Sequence, residues 1–434
     1  MSYSSKFFHY ALPSVGALLV VGLYFVVDGI FVAKGVGSNG LAAINLAVPF
    51  ISVLSSITTM LAIGGATLAS ISLGERNIKQ ANVFFNTSIT LILSIAVVFL
   101  LLTFLFLKEV ALFLGCSNIL LQPTMEYIKY YVAFDIFFSG TLALATFVRN
   151  DGNPRLAFWG MIIGAISNIF LDWLFIFVLH WGIKGAAVAS GLGQIFSFVL
   201  LLSHFMKRKG ELYFSRQILK KNNIYNIIKT GFPECITQMS SPITIFCYNI
   251  IIIKLLGEKG VAAYSIVSYL LVIVFAVFIG VAEGLQPLLS RSFGEKNGEA
   301  LKQFFKVGIK ANRSLACLIY GIFAVFGHRI IEIFTNDSDI LQIAYACIGI
   351  YGISFLFAAC NIVYTTFFLA TKETGTAVKI AILRSVILNS LCIFTAAGFF
   401  QNNGIWLGIV FSEFLVLLYL YSGKLLRKPF ANNI

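Results

Sequence analysis

The chain has 434 residues, of which 59% are hydrophobic and only 11% are charged. Because a soluble domain needs about a quarter of its residues charged to cover its surface, this composition excludes an ordinary soluble fold and indicates a chain surrounded mostly by lipid. The formal net charge of +13 would suit a nucleic-acid-binding protein. The basic residues are instead concentrated in alternate connecting segments, which is the pattern of a membrane protein.

Apolar stretches of roughly 20 residues recur along the whole chain, each long enough to cross a ~30 Å hydrocarbon layer as a helix. The bias of Lys and Arg towards one set of loops places both termini in the cytoplasm. The twelve predicted spans are residues 9–33, 43–72, 85–107, 124–148, 156–180, 184–206, 227–255, 261–290, 304–327, 341–370, 376–400 and 404–423.

The sequence repeats itself with a nearly constant offset. Pairs of similar segments lie 220 residues apart in three places and 222 apart near the end: Pro13 with Pro233, VGSNGLAAIN (36–45) with LGEKGVAAYS (256–265), LGERN (73–77) with FGEKN (293–297), and GIKGAAV (182–188) with GIWLGIV (404–410).

This offset predicts an all-α integral membrane protein of two six-helix repeats. Six spans per repeat make the repeats parallel, related by a pseudo-two-fold axis along the membrane normal, and sites in such transporters lie near the bilayer midplane. The predicted organisation is an N-terminal lobe (1–206), a basic cytoplasmic linker (207–226) and a C-terminal lobe (227–434) that ends in a short cytoplasmic tail.

Several polar side chains fall inside the first, fifth and sixth predicted spans. Asp28 lies in LYFVVDGIF, and Asn168 and Asp172 share one helix face in SNIFLDWLF. A charged residue within a span costs about 2.5–3.5 kcal/mol on insertion scales, so such residues usually face a cavity or a partner. Ser190 and Gln194 repeat the same spacing in span six, where helix–helix hydrogen bonding is the simpler interpretation. Gln194 is also a weaker candidate for the lining of a substrate cavity.

If these three spans converge, Asp28 and Asp172 share one pocket of low dielectric constant. Two adjacent carboxylates resist ionising together, so the pair can carry a proton. With the oxygens of Asn168 and Ser190 it could instead bind Na⁺, a hard cation that prefers oxygen ligands. The sequence leaves both alternatives open.

Three further acids are weaker candidates for the lining of a substrate cavity. Asp135 lies about a third of the way into span four, where pairing with Lys129 is an equal alternative. Glu283 and Glu413 lie in the second repeat and could face bound water near helix ends. Arg384 is the main cation away from the span ends, and it could extend to the membrane surface.

Several segments of the sequence resemble those of a known family. LPSVGALLVVGLYFVVDGIFVAKGVGSNGLAAINLAVP is similar to the first-span signature of the multidrug and toxic compound extrusion (MATE) transporters. RNDGNPRLAFWGMIIGAISNIFLDWLFIF, GIKGAAVASGLGQ and GLQPLLSRSFGEKN resemble later signatures. The resemblance covers almost the whole chain and is to the prokaryotic DinF-like branch.

The resemblance implies antiport of bulky, often cationic organic compounds out of the cytoplasm against H⁺ or Na⁺ by alternating access. It also implies a cation-coupling site at Asp28, Asn168, Asp172 and Ser190, where the family commonly has Thr in the last position. In the family, a polar residue of span four near Ala145 belongs to this network, and here Thr141 and Thr146 are the nearest substitutes.

Two more residues take a role from the resemblance and from their spacing. Pro13 lies where the family has a proline at which span one bends, so it is the predicted hinge. Tyr24, four residues before Asp28, is the best-placed aromatic residue for a lipophilic cation. The resemblance further implies location in the bacterial plasma (inner) membrane, and we expect a monomer embedded in the lipid bilayer.

Other motifs carry little. GVGSNG (35–40) fits a dinucleotide-binding pattern but follows a membrane helix, and no G-K-[ST] phosphate loop occurs. The four His residues form no catalytic motif, so we expect no catalytic residues, cofactor, nucleotide or nucleic acid. The alternatives are a lipid-linked precursor flippase of the same superfamily, which would need mid-span cations, and a membrane sensor or scaffold, which would not need buried acids.

Overall fold

The computed structural model describes residues 2–216 and 218–422, and every regular element in these ranges is helical. The predicted C-terminal tail lies outside the described residues. The sixteen α-helices, in chain order, are α1 Tyr3–Gly35, α2 Ser38–Gly74, α3 Ile78–Leu105, α4 Leu107–Phe113, α5 Asn118–Ala133, α6 Asp135–Asn150, α7 Pro154–Asp172, α8 Gly182–Met206, α9 Lys221–Gln238, α10 Ser240–Leu255, α11 Gly257–Gly294, α12 Gly298–Glu332, α13 Ser338–Tyr351, α14 Ser354–Ala370, α15 Thr374–Ile382 and α16 Leu388–Ser422. Two π-helical segments, Trp173–Val178 and Leu383–Ile387, follow α7 and α15.

Ten helical stretches in these ranges are long and apolar enough to cross a membrane, and each of two bent pairs adds one span, which gives up to twelve. The bent pairs are α5 with α6, at 50°, and α13 with α14, at 48°. The chain is therefore an all-α, multi-pass membrane protein, as predicted. The two bends lie at related positions of the repeat, because Asp135 and Phe355, near the starts of α6 and α14, are 220 residues apart.

The chain forms two compact units, which we call the N-unit (16–235) and the C-unit (1–15 with 236–434, described from residue 2 to residue 422). The boundaries differ from the predicted lobes because the first half of α1 packs with the second repeat and the first part of α9 with the first. Each change of unit comes two residues after a helix-internal proline, Pro13 or Pro233. Proline removes one backbone hydrogen bond from its helix, which weakens the helix at both places.

Small residues hold these exchanged helix ends. In the C-unit, a Cβ atom added to Gly284 would lie 2.6 Å from the Cα of Ala11. In the N-unit, a Cβ atom added to Gly231 would lie 1.8 Å from the carbonyl oxygen of Met60. Backbones approach this closely only where a glycine faces the neighbour, as in other membrane helix pairs.

The repeated motifs LGERN and FGEKN form the same turn. Arg76 and Lys296 have left-handed backbones with φ of 58° and 55°. The next residue, Asn77 or Asn297, then caps α3 or α12 by accepting a hydrogen bond from the backbone N–H three residues on, at 3.0 and 2.9 Å. The sequence repeat thus reflects a shared helix–turn–helix geometry.

Part of the predicted linker is ordered against α3. Asn82 and Asn86, one turn apart, each bind its backbone: Tyr213 N–H donates to Asn82 Oδ1 at 2.7 Å, and Ser215 N–H donates to Asn86 Oδ1 at 3.0 Å. Asp151 accepts from Glu211 N–H at 2.9 Å and contacts buried His204 at 2.8 Å. Since α9 begins at Lys221, the connection without helix is shorter than 207–226.

Candidate functional site

Helices α7 and α8 of the N-unit meet along a seam of small residues. A Cβ atom added to Gly193 would lie 2.8 Å from the carbonyl oxygen of Gly164 and 3.2 Å from the Cβ atom of Asn168. This approach lets the Asn168 amide donate to Ser190 Oγ at 3.1 Å. The predicted pairing of spans five and six at these two residues is therefore present in the structure, while their role in cation coupling stays a prediction.

Asp172 is the last residue of α7 and is completely buried. The helix changes to π-helical winding at the next residue, Trp173, and continues so to Val178. Such segments are rare and often occur at functional sites, because the wider turn redirects side chains and frees backbone groups. The sequence gives no obvious signal for this change of winding.

The carboxyl groups of Asp28 and Asp172 adjoin one another inside the N-unit. Neither oxygen of Asp172 accepts a well-formed hydrogen bond from a described residue, and Asp28 Oδ1 and Asn168 Oδ1 have no partner either. Two carboxylates are both acceptors, so a direct hydrogen bond between them requires one proton. The pair can therefore hold a proton, and the same free oxygens could coordinate a small hard cation.

Two tyrosines lie beside the acid pair. Tyr24 and Tyr127 are each close enough to Asp28 and Asp172 to interact with their charges. The position of Tyr24 was predicted from its spacing to Asp28, because residues four apart lie on one face of a helix. Tyr127 comes from α5 and was missed, because no pattern in the sequence shows which face of α5 turns towards α1.

Asp135 is the first residue of α6, directly after the bend between α5 and α6, and only 3% of its surface is exposed. Ser139 Oγ donates to Asp135 Oδ2 at 3.2 Å, and Ser139 Oγ lies 2.9 Å from Thr58 Oγ1. The alternative pairing with Lys129 is not formed in the described structure, where the Lys129 ammonium lies 5.9 Å from the Tyr130 ring centre.

The other polar residues near span four are engaged elsewhere. Thr141 Oγ1 donates to the backbone oxygen of Gln194 at 3.1 Å, and Thr146 Oγ1 donates to Leu142 at 2.9 Å. These bonds join α6 to α8 and complete a turn of α6, respectively. Gln194 is half-buried in α8, and its part in a substrate cavity stays a prediction.

The acids of the C-unit have different surroundings. Glu413 is 4% exposed, and its two carboxyl oxygens accept from Arg384 Nε at 2.8 and 3.0 Å. Asn361 Nδ2 donates to Glu413 Oε2 at 2.7 Å. Arg384 therefore lies inside the unit and does not extend to the surface. Glu283 is half-buried in α11, next to the Gly284 contact with α1.

With this geometry established, comparisons with known proteins are decisive about the family. The MatE family model matches the chain twice, over residues 13–174 and 233–395. The two matches begin at Pro13 and Pro233, which are 220 residues apart. The chain belongs to the MatE family. Because members of this family are transporters and not enzymes, the predicted family and the predicted absence of enzyme activity are both confirmed.

Curated relatives match nearly end to end. The chain is 25% identical to the "Multidrug export protein MepA" of Staphylococcus saprophyticus over 94% of this chain and 91% of the relative. It is 25% identical to the protein of the same name from Staphylococcus haemolyticus, over 95% and 92%. These relatives are similar proteins of bacteria. The assignment to a DinF-like branch stays a prediction.

Solved structures share the fold. The outward-facing conformation of a multidrug resistance MATE family transporter superimposes with a TM-score of 0.93 at 19% identity, covering 100% of this chain and 97% of that one. A MATE structure in the bent conformation gives a TM-score of 0.90 at 19% identity, over 100% and 96%. The predicted twelve-span all-α fold is confirmed.

Proposed function

We propose that this protein is a secondary active multidrug exporter, which moves bulky and often cationic organic compounds out of the cytoplasm in exchange for protons. The proton is bound by the Asp28–Asp172 pair of the N-unit. The names of the curated relatives, which are multidrug export proteins, support the substrate class. The protein lies in the bacterial plasma membrane with both termini in the cytoplasm. It works as a monomer and uses no nucleotide.

One observation carries this proposal: two buried carboxyl groups adjoin without a cationic partner among the described residues. A buried, unpaired carboxylate is costly, and a proton removes that cost. Stability alone would favour an amide or an apolar residue in these positions. An acid that costs stability and has no structural partner is best explained by the exchange of its proton.

The proton couples to transport through a difference in affinity between two conformations. A ligand shifts an equilibrium only when it binds one state better than the other. The pair holds its proton where it is buried and releases it where water or a cationic compound reaches it. Asn168 and Ser190 position α7 against α8 around the pair, and Pro13 allows α1, which carries Asp28, to bend.

The C-unit weighs against the alternative flippase. A lipid-linked precursor carries pyrophosphate, which needs free cationic groups at mid-membrane depth. The Arg384 guanidinium is already engaged by the Glu413 carboxylate. A pyrophosphate would have to displace this buried partner, at the cost of leaving a carboxylate unpaired.

The proposal is tested by efflux of a fluorescent lipophilic cation from proteoliposomes. Wild type, Asp28→Asn and the control Glu299→Gln, which neutralises an exposed carboxylate, are compared under a proton gradient, a Na⁺ gradient and both. We expect proton-driven efflux in wild type and in the control, and its loss in Asp28→Asn. A variant that has lost only coupling still exchanges labelled for unlabelled compound.

Three results would count against the proposal. Efflux driven by Na⁺ alone would replace the proton as coupling ion and assign the free oxygens of Asp28, Asp172 and Asn168 to Na⁺. Proton-driven efflux that survives in Asp28→Asn would remove the acid pair from the coupling. Absence of efflux in wild type under every gradient would favour the alternative, a lipid-linked precursor flippase.

A further inference from the structure

Asp135 is a second buried acid of the N-unit that the coupling pair does not explain. Its carboxyl group is almost fully enclosed, and its hydrogen-bonding partner is a neutral hydroxyl, that of Ser139. Among the described residues no lysine, arginine, histidine or other acid interacts with its charge, from α6 or from the helices packed on it. The one titratable group that faces it is Tyr131 of α5.

The second repeat shows that the helix bend does not require this acid. In the C-unit, α13 and α14 meet at 48°, close to the 50° between α5 and α6. The residue 220 positions after Asp135 is Phe355, which is completely buried in an apolar cluster. An aromatic residue therefore serves the same bend. The carboxyl group in the N-unit needs a reason other than architecture, and acids within membrane spans are by default functional.

Tyrosine side chains connect Asp135 to the acid pair. Tyr131 interacts with the charge of Asp135, and the rings of Tyr131 and Tyr127 are 6.2 Å apart. Tyr127 in turn interacts with Asp28 and Asp172. A phenolic hydroxyl both donates and accepts hydrogen bonds, and the Tyr131 hydroxyl is hydrogen-bonded to Ser55, so this series of groups can pass a proton through bound water between them.

The series also runs across the membrane. At 1.5 Å per residue, Asp28 lies roughly 10 Å before the end of α1 at Gly35. The start of α5 at Asn118 lies at the same face, since two membrane crossings separate it from the end of α1. On the same scale, Tyr127, Tyr131 and Asp135 lie roughly 14, 20 and 25 Å from Asn118. Asp135 is thus about 15 Å deeper than the pair.

We propose that Asp135 is a proton-relay residue, through which the Asp28–Asp172 pair exchanges protons with the membrane face opposite to the end of α1. With the termini in the cytoplasm, that face is the cytoplasmic one. The proton passes from the pair along Tyr127 and Tyr131 to the Asp135 carboxylate, and Ser139 and Thr58 continue the polar path. This inference rests on the proposed proton antiport, and it assigns the part of the proton path that leads from the acid pair to the cytoplasm.

The test separates proton movement from substrate movement. Wild type, Asp135→Asn, Asp135→Glu, Asp28→Asn and the exposed control Asp339→Asn are compared in proteoliposomes for proton-driven efflux and for exchange of labelled against unlabelled compound. We expect Asp135→Asn to lose proton-driven efflux on the order of 100-fold, the lower end of what a positioned proton-transfer group contributes. Exchange, which needs no net proton movement, should stay within about twofold of wild type, and Asp135→Glu should recover part of the driven rate.

Each other outcome is decisive. Driven efflux by Asp135→Asn at the wild-type rate, while Asp28→Asn has lost it, overturns the relay and leaves the antiporter standing. Equal loss of driven efflux and exchange, or no recovery with Glu alongside normal exchange, assigns Asp135 a structural or substrate-binding role and also overturns the relay. Normal driven efflux in both Asp135→Asn and Asp28→Asn overturns the relay and the proposed function together.

Discussion

The N-unit and the C-unit share a repeat, but the acids within their membrane spans have different partners. In the N-unit, Asp28 and Asp172 adjoin without a cation. The residue 220 positions after Asp28 is Tyr248, which is fully buried in an aromatic cluster, 4.9 Å from Tyr264 between ring centres. In the described part of the C-unit, the buried acid is Glu413, which forms an ion pair with Arg384.

The comparison distinguishes acids that can exchange a proton from acids that stabilise the structure. A buried carboxylate that contacts a guanidinium and an amide has its charge compensated within the protein. Two adjoining carboxyl groups have no other source of compensation than a proton or a bound cation. On the proposed proton antiport, the acids that exchange a proton are therefore those of the N-unit, and Glu413 of the C-unit belongs to a structural ion pair.

The largest expected effect is on stability, from neutralising one acid in each unit. Glu413→Gln leaves the Arg384 guanidinium buried without a counter-charge, which should cost about 3 kcal/mol. Asp172→Asn replaces a carboxyl group without a partner by an amide of the same shape, and we expect stability to change by less than about 1 kcal/mol. Thermal unfolding of both purified variants measures the difference.

The matched control for this prediction is the double variant Arg384→Met with Glu413→Gln. Removal of both charges should restore most of the lost stability, because a buried ion pair is often replaceable by neutral residues of similar volume. If Asp172→Asn is the more destabilising single change, or if the double variant is no better than Glu413→Gln, the assignment of structural charge to the C-unit is wrong.

A smaller effect should distinguish the first halves of the two broken spans. Asp337 caps α13 by accepting from the backbone N–H groups of Asp339 and Ile340 at 2.8 and 3.3 Å, whereas Ser117 makes no such bond at the start of α5. These amides, with a smaller contribution from Lys259, lower the pKa of Asp337 below its usual value. A carboxyl group whose pKa is lowered by folding stabilises the fold at pH values above its unfolded pKa of ~3.9. This stabilisation is lost as the pH falls through the lower pKa of the folded state.

Asp337→Ala should therefore unfold at a lower temperature than wild type at pH 7, and the gap should narrow below about pH 4. Ser117→Ala should show no gap at either pH. Melting curves across this pH range measure these differences in unfolding temperature. A difference between Asp337→Ala and wild type that widens in acid would contradict a lowered pKa of Asp337.

Much of the fold could be predicted from the sequence, because hydrophobic length and a constant repeat offset are local signals. Asp28, Asn168 and Asp172 could be singled out for the same reason, since acids and amides stand out in apolar spans, whereas Ser190 was singled out through the family resemblance. The exchanged first parts of α1 and α9 were not predictable. Their packing depends on glycines such as Gly284 and Gly231, whose partners lie far away in the chain.

The remaining parts of the site depend on side-chain direction in three dimensions. Tyr127 and Tyr131 are two of many aromatic residues, and their place beside the acids is decided by the rotation of α5. The Arg384–Glu413 pair was missed because its members are 29 residues apart in the chain. The π-helical segments also lack a composition signal, as winding is set by packing against neighbouring helices.

The most direct test of the account is the release of protons when a lipophilic cation binds to the purified protein in weakly buffered solution. Because the Asp28–Asp172 pair shares one proton, wild type and the neutral C-unit double variant should release about one proton per bound compound. The double variant Asp28→Asn with Asp172→Asn should bind without release. Equal proton release from all three proteins would place the coupling proton elsewhere and contradict the account.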